Sequence, residues 1–204
     1  MTLLLLIRHG ENEYTRTGKL AGWTPAVHLN EAGQKQAQAM AERLRPAPIA
    51  AIYASPLERA IQTAEPLARA KGLKVEICEG LGEVRYGRWT GRSLKMVRRT
   101  RLWGVVQRQP SMMEFPEGET LRAVQARAVD AVEQIVRKHP KKMVAAFSHG
   151  DVIKLVVAHY LGMPLDLFQR IVISTGSITL LSLGHGQPTL VKLNDTGPMA
   201  PQKR

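Results

Sequence analysis

The chain has 204 residues, 44% of them hydrophobic and 23% charged, with a formal net charge of +12 at pH 7. That length and composition suit one substantial globular domain, and no apolar run approaches the length of a membrane span. The single cysteine, Cys78, excludes an intrachain disulfide and offers no metal-ligand spacing.

LLLLI (3–7) puts apolar side chains on both faces of a strand, as in a parallel sheet covered on both sides. The run stops at Arg8-His9-Gly10-Glu11. Asn30 reads as a helix N-cap, with Glu31 in the first turn and an apolar stripe of Ala37, Met40, Ala41 and Leu44. Pro46 and Pro48 then punctuate the chain, and AIYAS (51–55) is a second strand. Ser55-Pro56 predicts a helix start, with Ser55 at the N-cap and Pro56 at the first helical position. That helix should run to about Lys71 and close at Gly72.

KVEIC (74–78) is a third strand. From Gly80 to Gly118 the pattern is irregular; LKMVRRTRLW (94–103) reads as an amphipathic helix, and 92–118 is a candidate lid. A long amphipathic helix is expected over 119–139, and MVAAFS (143–148) is another buried strand leading into a helix after His149-Gly150. Closing strands are expected over 177–183 and 189–193, and the tail 196–204 is expected to fray. The alternation predicts one α/β domain over 1–195, with a mostly parallel sheet and helices on both faces.

Ligands of such sheets bind beyond the carboxyl ends of the strands. Those ends deliver Arg8 and His9, then Arg59, then Glu83, then His149 and Gly150. Singly each has an ordinary reading as a loop histidine, a solvated arginine or a surface acid; together they suit phosphoryl transfer through a covalent intermediate. A neutral imidazole can attack phosphorus, and arginines neutralise the charge on the transferred oxygens. Gly10 and Gly150 would let the backbone approach the phosphate, and the helix start at Gly150 favours an anion. Glu83 is the candidate to protonate the leaving oxygen and then activate water. No cofactor or metal is implied. The basic residues are spread along the chain, densest in RSLKMVRRTR (92–101), with no basic tail or interleaved aromatics, so nucleic acid is not an expected partner. No membrane partner is expected either. LLLLI is too short for a signal-peptide core and has no basic segment before it, so the expected location is cytoplasmic.

Arg8-His9-Gly10-Glu11, SPLERAIQTAEP (55–66), LGEVRYGRWTG (81–91), FPEGET (115–120) and FSHGD (147–151) together resemble the histidine phosphatase, or phosphoglycerate-mutase-like, superfamily. GWTPAVHLNEAGQKQA (22–37) resembles that family's segment after its first motif. The resemblance implies a three-layer α/β/α sandwich and a phosphate pocket of Arg8, His9, Arg59 and His149. It makes His9 the phosphorylated nucleophile and Glu83 the proton donor, with Asn12 at the pocket edge. Gly150, Thr15 and Tyr86 complete the candidate substrate contacts, and Trp23 is a second candidate at the entrance.

Family members with mutase activity usually carry asparagine where this chain has Thr15, and threonine where it has Ala21. They also have a long insertion with an arginine pair that grips a carboxylate; only a short stretch stands here, and its Arg98-Arg99 reads as a lid or solvated face. The implied activity is therefore hydrolysis of a small phosphorylated metabolite. A phosphomutase and a non-catalytic phosphate-binding regulatory protein are the alternatives, and the oligomeric state is open.

Overall fold

In the computed structural model of the chain, the described residues are 1–184 and 186–197; the part of the expected frayed tail from 198 onward lies outside them. The elements in chain order are β1 (Thr2–Arg8), α1 (Glu13–Arg16), α2 (Glu31–Leu44), β2 (Ile49–Ala54), α3 (Glu58–Lys71) and β3 (Val75–Ile77). Then come α4 (Leu94–Val97), α5 (Arg101–Arg108), α6 (Leu121–Lys138), β4 (Met143–Ser148), α7 (Gly150–Tyr160), β5 (Ile178–Leu183) and β6 (Thr189–Asp195). The strands form one sheet in the order β3-β2-β4-β1-β5-β6. Its first four strands are parallel, and β5 and β6 close it in antiparallel fashion.

The leucine run explains the layers. Successive strand residues point to opposite faces. Leu4 and Leu6 join Tyr53, Val144 and Ala146 in the core under α6 and α7, whereas Leu5 and Ile7 join Ile52, Ala145 and Phe147 under α2 and α3. The three inner parallel strands, β1, β2 and β4, thus each feed two cores at once, giving the expected three-layer sandwich.

The register then fixes the site. β4 lies between β1 and β2, pairing Arg8 with Ser148 and Ala54 with Phe147. The residues that follow, His9, Ser55 and His149, emerge side by side on the sheet's carboxyl edge. The His9 N–H donates to the Ser148 carbonyl at 3.0 Å and the Ser55 N–H to the Phe147 carbonyl at 2.9 Å.

Helix α2 begins as expected, with Asn30 Oδ1 accepting from the Gly33 N–H at 2.9 Å, and α3 ends at Gly72 in the left-handed region. Three expectations are corrected. Ser55 is not the α3 cap: the helix starts at Glu58, Leu57 occupies the cap without a side-chain bond, and the Ser55 hydroxyl is engaged by His149 instead. LKMVRRTRLW is two short helices, because the Thr100 hydroxyl donates to the Val97 carbonyl at 2.7 Å and turns the chain between α4 and α5. Val97 and Val106 bury this segment against the main core. Glu119 lies outside α6, ahead of the Thr120 cap, and faces Arg127.

Candidate active site

A cavity of about 320 Å³ opens at the carboxyl edge of the sheet. Arg8, His9, Asn12, Thr15, Arg59, Glu83, Tyr86 and Gly150 all line it. His149 is fully buried beside them, its ring centroid 5.1 Å from that of His9.

His9 Nδ1 lies 2.7 Å from the Gly10 carbonyl oxygen. A carbonyl can only accept, so Nδ1 carries the proton and Nε2 keeps its lone pair. Burial lowers the His9 pKa well below its usual value, and Arg59 and Arg8 push it the same way. The ring is therefore neutral at pH 7, as a nucleophile must be. Gly10 is itself anchored: its N–H donates to Thr63 Oγ1 at 3.0 Å, and that hydroxyl donates to the Arg59 carbonyl at 2.6 Å.

The arginines are oriented but not satisfied. Arg8 Nη1 donates to the Ile173 carbonyl at 2.6 Å, and Arg59 Nη2 to the Gly22 carbonyl at 2.8 Å. Arg8 Nε, Arg59 Nε, Arg59 Nη1 and Asn12 Nδ2 are buried without a protein partner among the described residues. Each orphaned donor costs about 1–3 kcal/mol, more on a charged group. Four such donors around one cavity make a cradle for an oxyanion. Asn12 is held for this by a capping box: its Oδ1 accepts from the Thr15 N–H at 2.9 Å, and Thr15 Oγ1 accepts from the Asn12 N–H at 3.0 Å. Thr15 spends its hydroxyl on that box.

His149 Nε2 is 2.8 Å from Ser55 Oγ, while Nδ1 is 3.4 Å from Arg59 Nη2 and 3.8 Å from Glu83 Oε2. Burial first, then Arg59, His9 and Arg8, lower its pKa well below the usual value. Glu83 behaves oppositely. Burial and the facing charge of Asp151 raise its pKa to about 7, against the opposing pull of Arg59 and Arg8. Burial also pushes Asp151 up, but Lys154 and the Tyr86 hydroxyl outweigh it and hold its carboxyl below the usual range. Tyr86 Oη donates to Asp151 Oδ2 at 3.0 Å and Lys154 Nζ to Oδ1 at 3.1 Å. Of the two neighbouring acids, Asp151 keeps its charge and Glu83 takes the proton.

The glycines also serve packing. A Cβ on Gly10 would lie 2.6 Å from the Gly33 carbonyl oxygen, so Gly10 makes room for α2. Gly150 leaves space for Arg8, whose Nε would stand 3.2 Å from a Cβ there. Trp23 does not line the cavity; its Nε1 donates to the Glu83 carbonyl at 2.6 Å. Arg98 and Arg99 also stay outside the lining, although Leu94, Trp103, Val106 and Gln107 of the same segment form one wall. Asp151, Lys154, Trp103 and Gln107 went unread in the sequence. The first pair falls on one face of α7 at i, i+3 and the second on one face of α5 at i, i+4, and those spacings were the available signal.

A cradle for an oxyanion, a neutral imidazole and a carboxyl whose pKa is raised to about 7, all at the end of a parallel sheet, suit a phosphoryl-transfer site. The chain matches the histidine phosphatase superfamily (branch 1) over residues 4–196 and belongs to it. It is a phosphatase of that family. It is 29% identical over 201 residues to "Phosphoserine phosphatase 1" of Hydrogenobacter thermophilus, covering 96% of this chain and 93% of that protein. The solved structure of YhfR from Bacillus stearothermophilus superposes with a TM-score of 0.89 at 29% identity, covering 96% of this chain and 98% of the other. A phosphoserine phosphatase of Entamoeba histolytica, solved in complex with phosphoserine, gives 0.88 at 26% identity with the same coverage.

Proposed function

We propose that the chain hydrolyses a small phosphorylated metabolite in two steps at this cavity. The observation that carries the reading is the set of four buried donors without a protein partner on Arg8, Asn12 and Arg59, which line one cavity with His9. Arg8, Arg59, Asn12 and His149 hold the phosphoryl oxygens. His9 Nε2 attacks phosphorus, the P–O ester bond breaks, and the Glu83 carboxyl gives its proton to the departing oxygen. In the second step the Glu83 carboxylate takes a proton from water as that water attacks phospho-His9. The P–N bond breaks, inorganic phosphate leaves, and Glu83 is again protonated.

The organic part of the substrate faces Tyr86, Trp103, Gln107 and Lys154, with Lys19 also on the lining. Two lysines suit a substrate carboxylate, and two relatives bearing the name phosphoserine phosphatase support a phosphorylated small acid. The test is a panel of phosphoserine, phosphoglycerate and sugar phosphates, read both as phosphate release and as isomer exchange. Release from a phosphorylated carboxylic acid is expected. Exchange between positions without release is phosphomutase behaviour and overturns the hydrolytic reading.

A further inference from the structure

Glu83 reaches the site from an irregular stretch, between a 3₁₀ turn at Glu79–Leu81 and another at Gly87–Trp89. No strand or helix fixes it, yet a proton donor must stand within hydrogen-bond reach of one oxygen, and a displacement of about 1 Å costs roughly 10²-fold.

Arg127 on α6 supplies the missing anchor. Its Nη1 donates to the carbonyls of Gly80 at 2.9 Å and Gly82 at 2.8 Å. Its Nη2 donates to the Glu83 carbonyl at 2.9 Å and to Glu119 Oε2 at 3.0 Å, and its Nε donates to Glu119 Oε1 at 2.8 Å. A guanidinium has five N–H groups in a planar fork, and these contacts engage them all. The contrast with Arg8 and Arg59, which keep one and two nitrogens respectively without a protein partner, marks a different task. Glu119 completes the arrangement: its Oε2 accepts from the Arg85 N–H at 2.9 Å, and its own N–H donates to the Arg85 carbonyl at 2.9 Å. The backbone is thus gripped on both sides of Glu83. There is no slack beneath the turn, since a Cβ on Gly80 would stand 2.6 Å from the Ala131 side chain of α6. Trp23 adds its bond to the same Glu83 carbonyl from the opposite part of the chain.

We propose that Arg127, oriented by Glu119, is a positioning residue that fixes the Glu83 carboxyl at the leaving-group oxygen. The proposal rests on Glu83 being the proton donor. It places part of the acid's control on α6, outside the cavity wall. Loss of the fork lets the 80–85 backbone shift, so the proton arrives poorly placed while His9, Arg8 and Arg59 are untouched.

The test compares full-length wild type, Arg127→Met and Glu119→Gln in single-turnover phosphorylation. The substrates are p-nitrophenyl phosphate, whose leaving group needs little protonation, and a simple alkyl phosphate, whose leaving group needs a proton. In Arg127→Met the alkyl ester should phosphorylate the enzyme about tenfold more slowly or worse, and the nitrophenyl ester within about threefold of wild type. Glu119→Gln, which keeps shape and loses charge, should show the same selectivity to a smaller degree. A merely structural role would lower both esters together. An equal fall on both, or no fall in either folded variant, overturns the proposal; if Arg127→Met does not fold, Glu119→Gln alone decides. Failure of wild type to form any phosphoenzyme would instead refute the Glu83 and His9 roles on which the proposal stands.

Discussion

Arg59 carries its charge at a point that is 1% exposed, with two of its nitrogens unpaired. Burial lowers its pKa, and Glu83 and Tyr86 pull the other way. On the proposed function, this costly group is held for an anion. Arg59→Met, which keeps an apolar stem and removes the guanidinium, should raise stability without phosphate by about 1–2 kcal/mol in urea unfolding, because orphaned donors disappear. The same variant should no longer gain thermal stability from added inorganic phosphate, as the wild type should. Glu83 gives a second prediction at this scale. Its carboxyl is protonated below about pH 7 and loses the proton above, so kcat/KM for alkyl phosphates should fall on the alkaline side of about 7. Asp151→Asn removes the second-largest cause of that upward shift. Its alkaline limb should move to lower pH, yet remain above the ordinary carboxyl value because burial, the larger cause, persists. An unmoved limb would show that Asp151 does not act on Glu83.

Among the elements, β1 and α2 jointly carry His9, the proposed nucleophile. The leucine run made β1 legible, and the N-cap at Asn30 made α2 legible, since both follow from local rules. Their contact was not legible: Gly10 and Gly33 meet backbone to backbone, and a Cβ on Gly33 would run into the Glu11 main chain. Alanine is ordinarily worth about 1 kcal/mol over glycine inside a helix. Gly33→Ala should nevertheless destabilise by about 1–3 kcal/mol in urea unfolding and slow His9 phosphorylation, because backbone has to move. Stabilisation would mean that α2 can shift freely from His9. The same distinction explains the other misreadings. Ser55-Pro56 has the local form of a helix start, but the buried His149 claims the hydroxyl. Glu119 has helical periodicity, but Arg127, eight residues on, draws it out of the helix. Long-range polar partners override local signals, and periodicity does not report them.

At the scale of the whole molecule, the chemistry-bearing residues were readable because a parallel sheet delivers its strand ends to one edge, and the motifs lie at those ends. The charge now has a partial place as well. Arg92, Lys95, Arg98, Arg99, Arg101 and Arg108 are exposed, with no acid between residues 92 and 113, on the segment that walls the cavity. None of them forms an ion pair among the described residues. A field of this kind concentrates anions and weakens with salt. Raising ionic strength should therefore lower kcat/KM while leaving kcat nearly constant, and Arg98→Glu with Arg99→Glu should flatten that dependence. A salt response confined to kcat would place the effect elsewhere. The central claim is that His9 becomes phosphorylated, and it is open to direct measurement. Rapid mixing with a phosphate-labelled monoester, acid-free quenching and mapping of the label should find acid-labile, base-stable phosphate on His9, formed and discharged at rates that account for turnover. Phosphate release in wild type with no such label, or labelling that survives His9→Ala unchanged, would contradict the account.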